Sequence, residues 1–499
     1  MNSSTNYDVV IVGSGLGGLI CANVLSKQGM RVCVLEKHYQ IGGNLQTFKR
    51  EGCVFDTGVH YIGCMDSGEI LHQVFKYLGV LNQMKLERLD KEGFDVISIG
   101  DKEYKLANGY DNFAVALKSY FPEESVAIDK FVETLRIIWD NVGLLNFRGN
   151  VKGVIPGVWQ YNENAHDFIE GLTDNEELRA VLAGNNGLFT GNSAKTPLYM
   201  LANINSFYIK SAWRLAGGGT QLAEALGRNV EQAGGKVMVN ANVVKFKSKE
   251  KLIEAACLEN GEVIHGNSFI SNIHPSLTMD LVEPGLMRQV YVDRIKSLEN
   301  GISVFTLYLT LEKGMIPHRN SNLYYSKDTW VWDLHKDPNQ EWPHGFMLYT
   351  SQDGNTGFAE SMTIITMMRF DEVEQWSDTT IEKRGESYKA FKKEKTDALL
   401  KLVKQKYPQL STAVKSSFVS TPLTFRDYTG TVRGSMYGIE KDSSDPVRTS
   451  ILPNTKVKNL LMTGQNINIH GTLGVTMGAL LTCSNLVDME TIMDEIKEA

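Results

Sequence analysis

The chain has 499 residues, long enough for two structural domains, and its formal net charge is -7. Hydrophobic residues make up 42% and charged residues 22% of the chain, as in folded soluble proteins. The negative net charge argues against a nucleic-acid partner, which would require clustered Lys and Arg. The six cysteines form no Cys-x-x-Cys pair, and the spacing of His and Cys predicts no metal site. With no signal-like N-terminus and no long apolar run, these features predict a cytoplasmic protein that does not cross a membrane.

The N-terminal residues predict a strand, a glycine turn, a helix and a second strand. Asp8–Val12 and Arg31–Glu36 are short, apolar and β-branched, which is typical of strands buried in a parallel sheet. Leu19–Gln28 has helical periodicity and is followed by Gly29. This βαβ unit is the context that a Gly-x-Gly-x-x-Gly motif requires to bind a dinucleotide.

The glycines of this motif and one acidic residue each have a predicted task. Gly13 allows a tight turn, Gly15 lets the backbone approach a pyrophosphate, and Gly18 lets the helix pack closely on the sheet. The free amides at the start of the helix favour an anion. Glu36, about twenty residues further on, is placed to accept the hydroxyls of an adenosine ribose.

Later elements follow in chain order. Residues 69–214 combine longer helices with irregular, aromatic-rich stretches, and this change of pattern predicts a second domain. Predicted strands are 52–56, 237–247, 253–258, 263–270, 303–311, 346–350, 362–369 and 457–463, and predicted helices are 221–232, 380–406 and 471–496. Both chain ends carry cofactor-binding features, so we predict one discontinuous dinucleotide-binding domain and one substrate domain. The predicted dinucleotide-binding domain comprises residues 1–68, 215–275 and 450–499, and the substrate domain comprises 69–214 and 276–449.

The second glycine pair, Gly42-Gly43, and the C-terminal segment that begins at Leu460 favour FAD over NAD, which uses the same motif, because they look like parts of known FAD proteins. Three longer segments carry the resemblance to a family. They are GGNLQTFKREGCVFDTGVHYIG at 42–63, TPLTFRDYTGTVRGSMYGI at 421–439 and LLMTGQNINIHGTLGVTMGALLTCSNLV at 460–487. In this order they resemble the retinol saturase branch of the phytoene desaturase and carotenoid isomerase superfamily, strongly at both ends of the chain and weakly in the middle. The resemblance implies an α/β fold with a discontinuous Rossmann-type domain, as in GDP-dissociation inhibitors and amine oxidases, and a substrate domain that combines a mixed sheet with helices. It also implies bound FAD.

The motif and the resemblance together predict a set of cofactor-binding residues. They are Gly13, Ser14, Gly15, Gly17, Gly18, Glu36, Lys37, Gly42, Gly43, Asn44, Val244, Gly464, Gln465, Gly474 and Val475. One departure from the family is Asn466, which stands where similar saturases often carry an acidic residue. Its amide oxygen can still accept a ribityl hydroxyl, but without the charge.

The resemblance implies redox or isomerisation chemistry at a double bond of an apolar isoprenoid lipid, most closely saturation. Desaturation and cis–trans isomerisation remain alternatives with the same flavin, and a prenyl-lipid escort protein of the same fold is a non-enzymatic alternative. Saturation requires a proton donor beside the reacting carbon. The candidates for this role are His60, Tyr61, Tyr428, Tyr437 and His470.

The middle of the chain is aromatic and apolar. Nine residues form a candidate tunnel lining: Trp139, Phe147, Trp159, Tyr161, Phe168, Phe189, Phe207, Tyr208 and Trp213. The stretches 135–139, 142–147 and 151–159 predict an apolar entrance that lies on the inner face of a membrane. Leu215–Thr220 follows irregular sequence, so it is interpreted as a helix-starting turn and not as a second dinucleotide site. Electrons are therefore expected to come from, or go to, a separate partner.

Overall fold

The computed structural model describes residues 6–142, 160–334, 341–352, 354, 356–467 and 469–499. The strands are β1 (Asn6–Val12), β2 (Val32–Leu35), β3 (Thr47–Arg50), β4 (Cys53–Asp56), β5 (Ile62–Gly63), β6 (Leu86–Arg88), β7 (Asp95–Ile99), β8 (Lys102–Leu106), β9 (Ala212–Leu215), β10 (Lys236–Met238), β11 (Val243–Lys249), β12 (Leu252–Leu258), β13 (Val263–Ser271), β14 (Ser303–Leu311), β15 (Asn322–Ser326), β16 (Gly345–Ser351), β17 (Ser361–Met368), β18 (Val414–Ser420) and β19 (Leu460–Met462).

The α-helices are α1 (Leu16–Lys27), α2 (Ile70–Tyr77), α3 (Tyr110–Tyr120), α4 (Ser125–Asn141), α5 (Ala165–Glu170), α6 (Glu176–Leu182), α7 (Leu198–Lys210), α8 (Thr220–Gln232), α9 (Pro275–Leu281), α10 (Gln289–Lys296), α11 (Gly385–Lys406), α12 (Leu410–Ala413), α13 (Pro422–Thr429), α14 (Pro446–Thr449), α15 (Gly471–Cys483) and α16 (Met489–Glu498). In the part of the chain given above, no helix is long and apolar enough to cross a membrane.

The first sheet has β1 at its centre. Its strand order is β10-β2-β1-β13-β12-β11, and β19 pairs in parallel with the carboxyl end of β13. β1 is parallel to both β2 and β13, and residues 9–12 and 32–35 are buried. Such strands must be apolar on both faces, because helices cover the sheet from both sides. One of these helices, α1, packs against α8 and α15. The parallel strands and the helices that cover them confirm the Rossmann-type fold predicted from the sequence.

The second sheet has the order β18-β14-β17-β16-β15-β7-β8. Its pairs are antiparallel except β7 with β15, which are parallel. Every residue of β14 is buried, because the strand lies between β17 and β18 and contributes to the apolar core on the sheet. A small third sheet, β5-β9-β6, joins residues that follow the dinucleotide unit to the strand before α8.

Several predicted elements differ from the observed ones. The predicted strand at 237–247 is two strands, β10 and β11, which belong to different edges of the first sheet. The predicted helix at 471–496 is also divided, because α15 ends at Cys483 and Asp488 caps the start of α16 through the amide of Thr491. The strands β7 and β8 lie within a region that the pattern assigned to helices and irregular segments.

The two-domain division of the chain stays a prediction, and α2 bears on one boundary. The first sheet takes its strands from residues 6–35, 236–271 and 460–462. The helix α2 starts just after the predicted boundary at residue 68, yet its apolar side packs against α16 in the core beneath the first sheet. It therefore lies with the dinucleotide-binding half and not with the second sheet.

The predicted membrane entrance is wrong for its first segment. Leu135, Ile138 and Trp139 are buried, because the apolar side of α4 packs against α7 in the protein core. Residues 143–159, which contain the other two segments, lie outside the described residues. Contact with a membrane surface therefore stays a prediction for that part of the chain.

We expect Gly18→Ala to destabilise the first sheet. A Cβ at Gly18 would lie 2.3 Å from the carbonyl oxygen of Gly13, so the backbone of α1 would have to move away from β1. The resulting loss of unfolding free energy should be about 1–3 kcal/mol, as for other overpacked sites. Urea unfolding measures it. The control is Gly187→Ala, whose new Cβ would contact only the flexible end of Met367 at 3.5 Å, and equal unfolding midpoints for the two variants would contradict the prediction.

Candidate functional site

A cavity of about 440 Å³ lies at the carboxyl ends of β1 and β2. We call it the main cavity. Open α/β sheets bind their ligands in this position, outside the carboxyl ends of parallel strands. The predicted cofactor residues that line it are Gly13, Gly15, Gly17, Glu36, Lys37, Gly42, Gly43, Asn44, Gly464, Gln465 and Val475.

The glycine turn and the C-terminal glycine are in close contact. Gly13 has a φ of +95°, which ends β1 in a conformation that favours glycine. A Cβ on Gly17 would lie 3.1 Å from the Cα of Gly464, and a Cβ on Gly43 would lie 3.3 Å from the Cα of Gly15. The three glycine-rich segments therefore form one surface of bare backbone at the start of α1, where the first amides have no intrahelical partner.

The carboxylate of Glu36 is held at the end of β2. One of its oxygens accepts hydrogen bonds from the amide and the hydroxyl of Ser14, at 2.9 and 2.6 Å, and the other accepts the amide of His38 at 2.8 Å. Glu36 is 8% exposed and lines the main cavity. Three donors therefore fix the position of the carboxylate, and the oxygens keep lone pairs that a ribose hydroxyl can use.

Four predicted cofactor residues are not on the wall of the main cavity. Ser14 acts through Glu36, Gly18 packs against Gly13, and Gly474 lines a neighbouring cavity. The fourth, Val244, is a correction: it is 47% exposed, whereas Val243 lines the main cavity. The register of β11 is irregular between Val243 and Lys245, and both Val244 and Lys245 are exposed, so the strand pattern does not predict which side chain faces inward here.

The two ends of the chain meet at Asn44 and Gln465. The side-chain amide of Asn44 donates to the Oε1 of Gln465 at 3.3 Å. Beside them, the Oδ1 of Asn466 accepts the backbone amide of Ile439 at 2.8 Å. This oxygen therefore already accepts one hydrogen bond from the protein, and its second lone pair is the one that a ribityl hydroxyl would use.

A second, apolar cavity of about 110 Å³ adjoins the main cavity. We call it the apolar cavity. The residues that line both are Leu188, Tyr208, Tyr437, Gly471 and Thr472. His470 also lines the apolar cavity, where its Nε2 lies 2.8 Å from the carbonyl oxygen of Leu188 and burial lowers its pKa to about 4. Tyr208 and Tyr437 therefore lie at the boundary between the two cavities.

His60 and Tyr61 lie on the wall of the main cavity and belong to one buried polar network. The Nδ1 of His60 lies 3.1 Å from the hydroxyl of Tyr349. The hydroxyl of Tyr61 donates to Asp95 at 3.0 Å and lies 2.9 Å from the hydroxyl of Tyr324. Burial lowers the pKa of His60 to about 3, so the imidazole is neutral, and burial raises the pKa of Tyr61, so the phenol keeps its proton.

Arg214 supplies the positive charge of this network. It lies 4.8 Å from the ring centre of Tyr349, and its Nη2 donates to Asn322 at 3.0 Å. Asn322 in turn donates to the other oxygen of Asp95 at 2.8 Å. Burial raises the pKa of Asp95 to about 7 even though the guanidinium opposes this shift. The proton of Tyr61 is therefore held beside a carboxyl that titrates near neutral pH.

The other predicted catalytic and aromatic residues lie in different parts of the structure, and only some of them line a cavity. Tyr428 is 37% exposed and lies 5.8 Å from the ring of His38, so it borders the Glu36 end of the main cavity. The ring of Tyr437 stacks on His470 at 4.0 Å. Of the nine predicted tunnel aromatics, Phe207 and Tyr208 line the apolar cavity, and Phe147 and Trp159 lie outside the described residues. Trp139 and Phe189 are core residues.

Several site residues were not predicted from the sequence, among them Asn272, Asp95 and Arg214. Asn272 follows β13, contacts the glycine turn through a hydrogen bond to the carbonyl of Gly13 at 3.3 Å, and lines the main cavity. A polar residue directly after a buried parallel strand is a signal that could have indicated it. Asp95 and Arg214 had no such signal, because the network depends on contacts between distant segments.

We expect Asp95→Asn to make stability less dependent on pH. The raised pKa means that the folded protein keeps a proton that the unfolded chain has released, between about pH 4 and pH 7. The unfolding free energy of the wild type therefore falls as the pH rises through this range, by up to about 4 kcal/mol at about 1.36 kcal/mol per pH unit. Urea unfolding at about pH 5 and pH 8 measures the difference. The exposed Asp101→Asn is the control, and a variant with the pH dependence of the wild type would contradict the assignment.

Comparison with known proteins agrees with this geometry. Residues 11–78 match the model of the "NAD(P)-binding Rossmann-like domain". The chain is 27% identical to the all-trans-retinol 13,14-reductase of Danio rerio, over 97% of this chain and 86% of the relative. It is 23% identical to a 4,4'-diapophytoene desaturase of Methylomonas sp, over 64% of each protein. The structure of cyclohexylamine oxidase from Brevibacterium oxydans superposes with a TM-score of 0.61 at 15% identity, covering 99% of each chain.

These similarities extend far beyond the N-terminal dinucleotide unit. The match to the retinol reductase includes the middle of the chain, where the motifs alone are weak. The similarity to the amine oxidase shows the shared fold. The chain is thus similar over nearly its whole length to all-trans-retinol 13,14-reductases, and over a smaller share of its length to a diapophytoene desaturase and to prolycopene isomerases.

Proposed function

We propose that this protein is an FAD-dependent oxidoreductase that saturates a carbon–carbon double bond in an apolar isoprenoid substrate. The observation that carries the proposal is the junction of two cavities. The main cavity has a dinucleotide-binding end, and it meets the apolar cavity at Tyr208 and Tyr437. A dinucleotide and an apolar chain can therefore approach each other inside one protein.

The residues of the main cavity fit FAD. The bare backbone at Gly15, Gly17 and Gly464 leaves room for a pyrophosphate against the amides of α1. Glu36 is oriented by Ser14 and His38, which suits a ribose with a free 2′-hydroxyl. The C-terminal residues Gln465 and Val475 line the same cavity, so the chain can enclose both halves of a long dinucleotide.

FAD, when bound, would supply hydride transfer to or from carbon. The protein's own residues position the substrate and control the proton. Tyr61, a protonated phenol on the wall of the main cavity, stacks on Tyr208 with ring centres 4.1 Å apart, and Tyr208 lines both cavities. Tyr61 is therefore our candidate proton donor, and Asp95 is a positioning residue that fixes its hydroxyl.

Saturation is proposed over the alternatives for two reasons. The most similar sequences that we describe are named as reductases of a retinoid, and adding hydrogen across a double bond needs a proton as well as a hydride, which the Tyr61 network can provide. Since the described chain has one dinucleotide unit, the electrons are proposed to come from a separate reduced donor. Collection of the substrate at the inner face of a membrane is part of the same proposal.

A visible spectrum and an anaerobic assay test the proposal. We expect the purified protein to show the absorption bands of an oxidised flavin, and the dithionite-reduced protein to convert a polyene such as all-trans-retinol into a dihydro product. Formation of a more unsaturated product, or of a geometric isomer, would instead indicate desaturase or isomerase activity. A colourless protein that takes up no FAD and binds prenyl lipid would indicate an escort protein.

We expect Tyr61→Phe to reduce turnover by about 10²-fold, which is typical of the loss of a general acid. FAD content and substrate affinity should change little, because the ring and its stacking on Tyr208 remain. Single-turnover rates of the reduced protein measure the effect.

The matched control for this variant is Tyr325→Phe. Tyr325 is adjacent to Tyr324 on β15 but stacks on Phe346 in the core on the other side of the second sheet. It should retain the wild-type rate. Full turnover by Tyr61→Phe would remove Tyr61 as the proton donor.

A further inference from the structure

The apolar cavity contains one charged group among its described lining residues, Lys441. The neighbouring titratable base, His470, is neutral because burial lowers its pKa to about 4. Most of the remaining wall is aliphatic or aromatic, with Ile451, Ile467 and Leu481 as examples. Lys441 is therefore a single cation on the wall of an otherwise apolar binding site.

The ammonium of Lys441 has neutral partners. Its Nζ donates to the carbonyl oxygens of Thr449, at 3.2 Å, and Asn466, at 3.1 Å. An ammonium has three N–H donors, so these two bonds leave one for a ligand. Lys441 is 8% exposed, and within the described chain it forms no ion pair with a carboxylate.

Such a charge is costly unless something neutralises it. Burial lowers the pKa of Lys441 to about 8, so at neutral pH most molecules still carry the charge. Removing a charge from water without a counter-ion is strongly unfavourable. An anionic group at the end of a bound substrate would remove this penalty, whereas a hydroxyl would offer a hydrogen bond but no charge.

We propose that Lys441 binds the carboxylate of an apolar isoprenoid acid whose hydrocarbon chain occupies the apolar cavity. This inference rests on the proposed function, because it concerns the substrate of the same two joined cavities. The carboxylate would lie beside Lys441, and the chain would extend towards Tyr208 and Tyr437, where the main cavity begins. The site would therefore select acids over alcohols and over hydrocarbons of the same length.

A binding experiment with two matched polyenes tests this selection. All-trans-retinoic acid and all-trans-retinol have the same hydrocarbon body and differ in the terminal group. Quenching of the intrinsic fluorescence of the flavin-containing protein gives both dissociation constants. We expect the acid to bind at least about 10-fold more tightly, the effect of one charge-assisted hydrogen bond in a buried site.

Substitution of Lys441 assigns the preference to its charge. Lys441→Met should weaken binding of the acid at least about 10-fold and change binding of the alcohol by less than about 3-fold. Lys441→Gln keeps an amide donor for the carbonyls of Thr449 and Asn466, and it should lose the preference for the acid in the same way. The Gln variant therefore distinguishes the loss of the charge from a packing defect caused by the Met side chain. The exposed Lys389→Met, on α11, should retain the wild-type constants.

The outcomes separate this inference from the proposed function. A flavin-containing protein that reduces retinol but binds the acid no more tightly than the alcohol would overturn the role of Lys441 alone. Retention of the preference in both Lys441 variants would also overturn it. A protein that binds the acid selectively but neither holds flavin nor reduces any polyene would support the binding site and reject the oxidoreductase.

Discussion

The close packing of α1 on β1 is the constraint on which the rest of the site depends. Gly18 allows the helix to approach the carbonyl of Gly13 so closely that any side chain would separate them. This approach directs the amides at the helix start to the carboxyl ends of the strands, where Glu36 and Asn272 also lie. Helix, strand and carboxylate are thus positioned by backbone contacts, and no cation is required to attract a diphosphate.

The second sheet supplies a different kind of constraint. Its strands β7, β15 and β16 carry Asp95, Tyr324 and Tyr349, which connect through hydrogen bonds to Tyr61 and His60. Hydrogen bonds between the members of a buried polar network hold the side chains in fixed positions. The two side chains that lie on the main cavity wall are therefore fixed by residues from strands distant in the sequence, and Arg214 connects the two ends of the network.

Local patterns in the sequence were sufficient to predict the dinucleotide-binding unit. They were not sufficient to predict the buried polar network around His60 and Tyr61. The strands and helix around Gly13 have their own periodicities, and eleven of the fifteen predicted cofactor residues line the main cavity. Val243 lines the main cavity instead of the predicted Val244, because the register of β11 is irregular at this point and a sequence pattern does not show such an irregularity. Asp95, Asn322 and Arg214 meet only through tertiary contacts, and no spacing rule in one sequence can show this.

The contact between Asn44 and Gln465 has a consequence for how the protein is made. These residues are separated by 421 positions in the chain, and β19 adds to β13 immediately before Gln465. The glycine turn can form from contacts that are close in the sequence, but its opposite wall is synthesised only after every strand of the second sheet. A nascent chain that has not yet reached residue 465 would therefore expose an incomplete crevice to the surrounding solution.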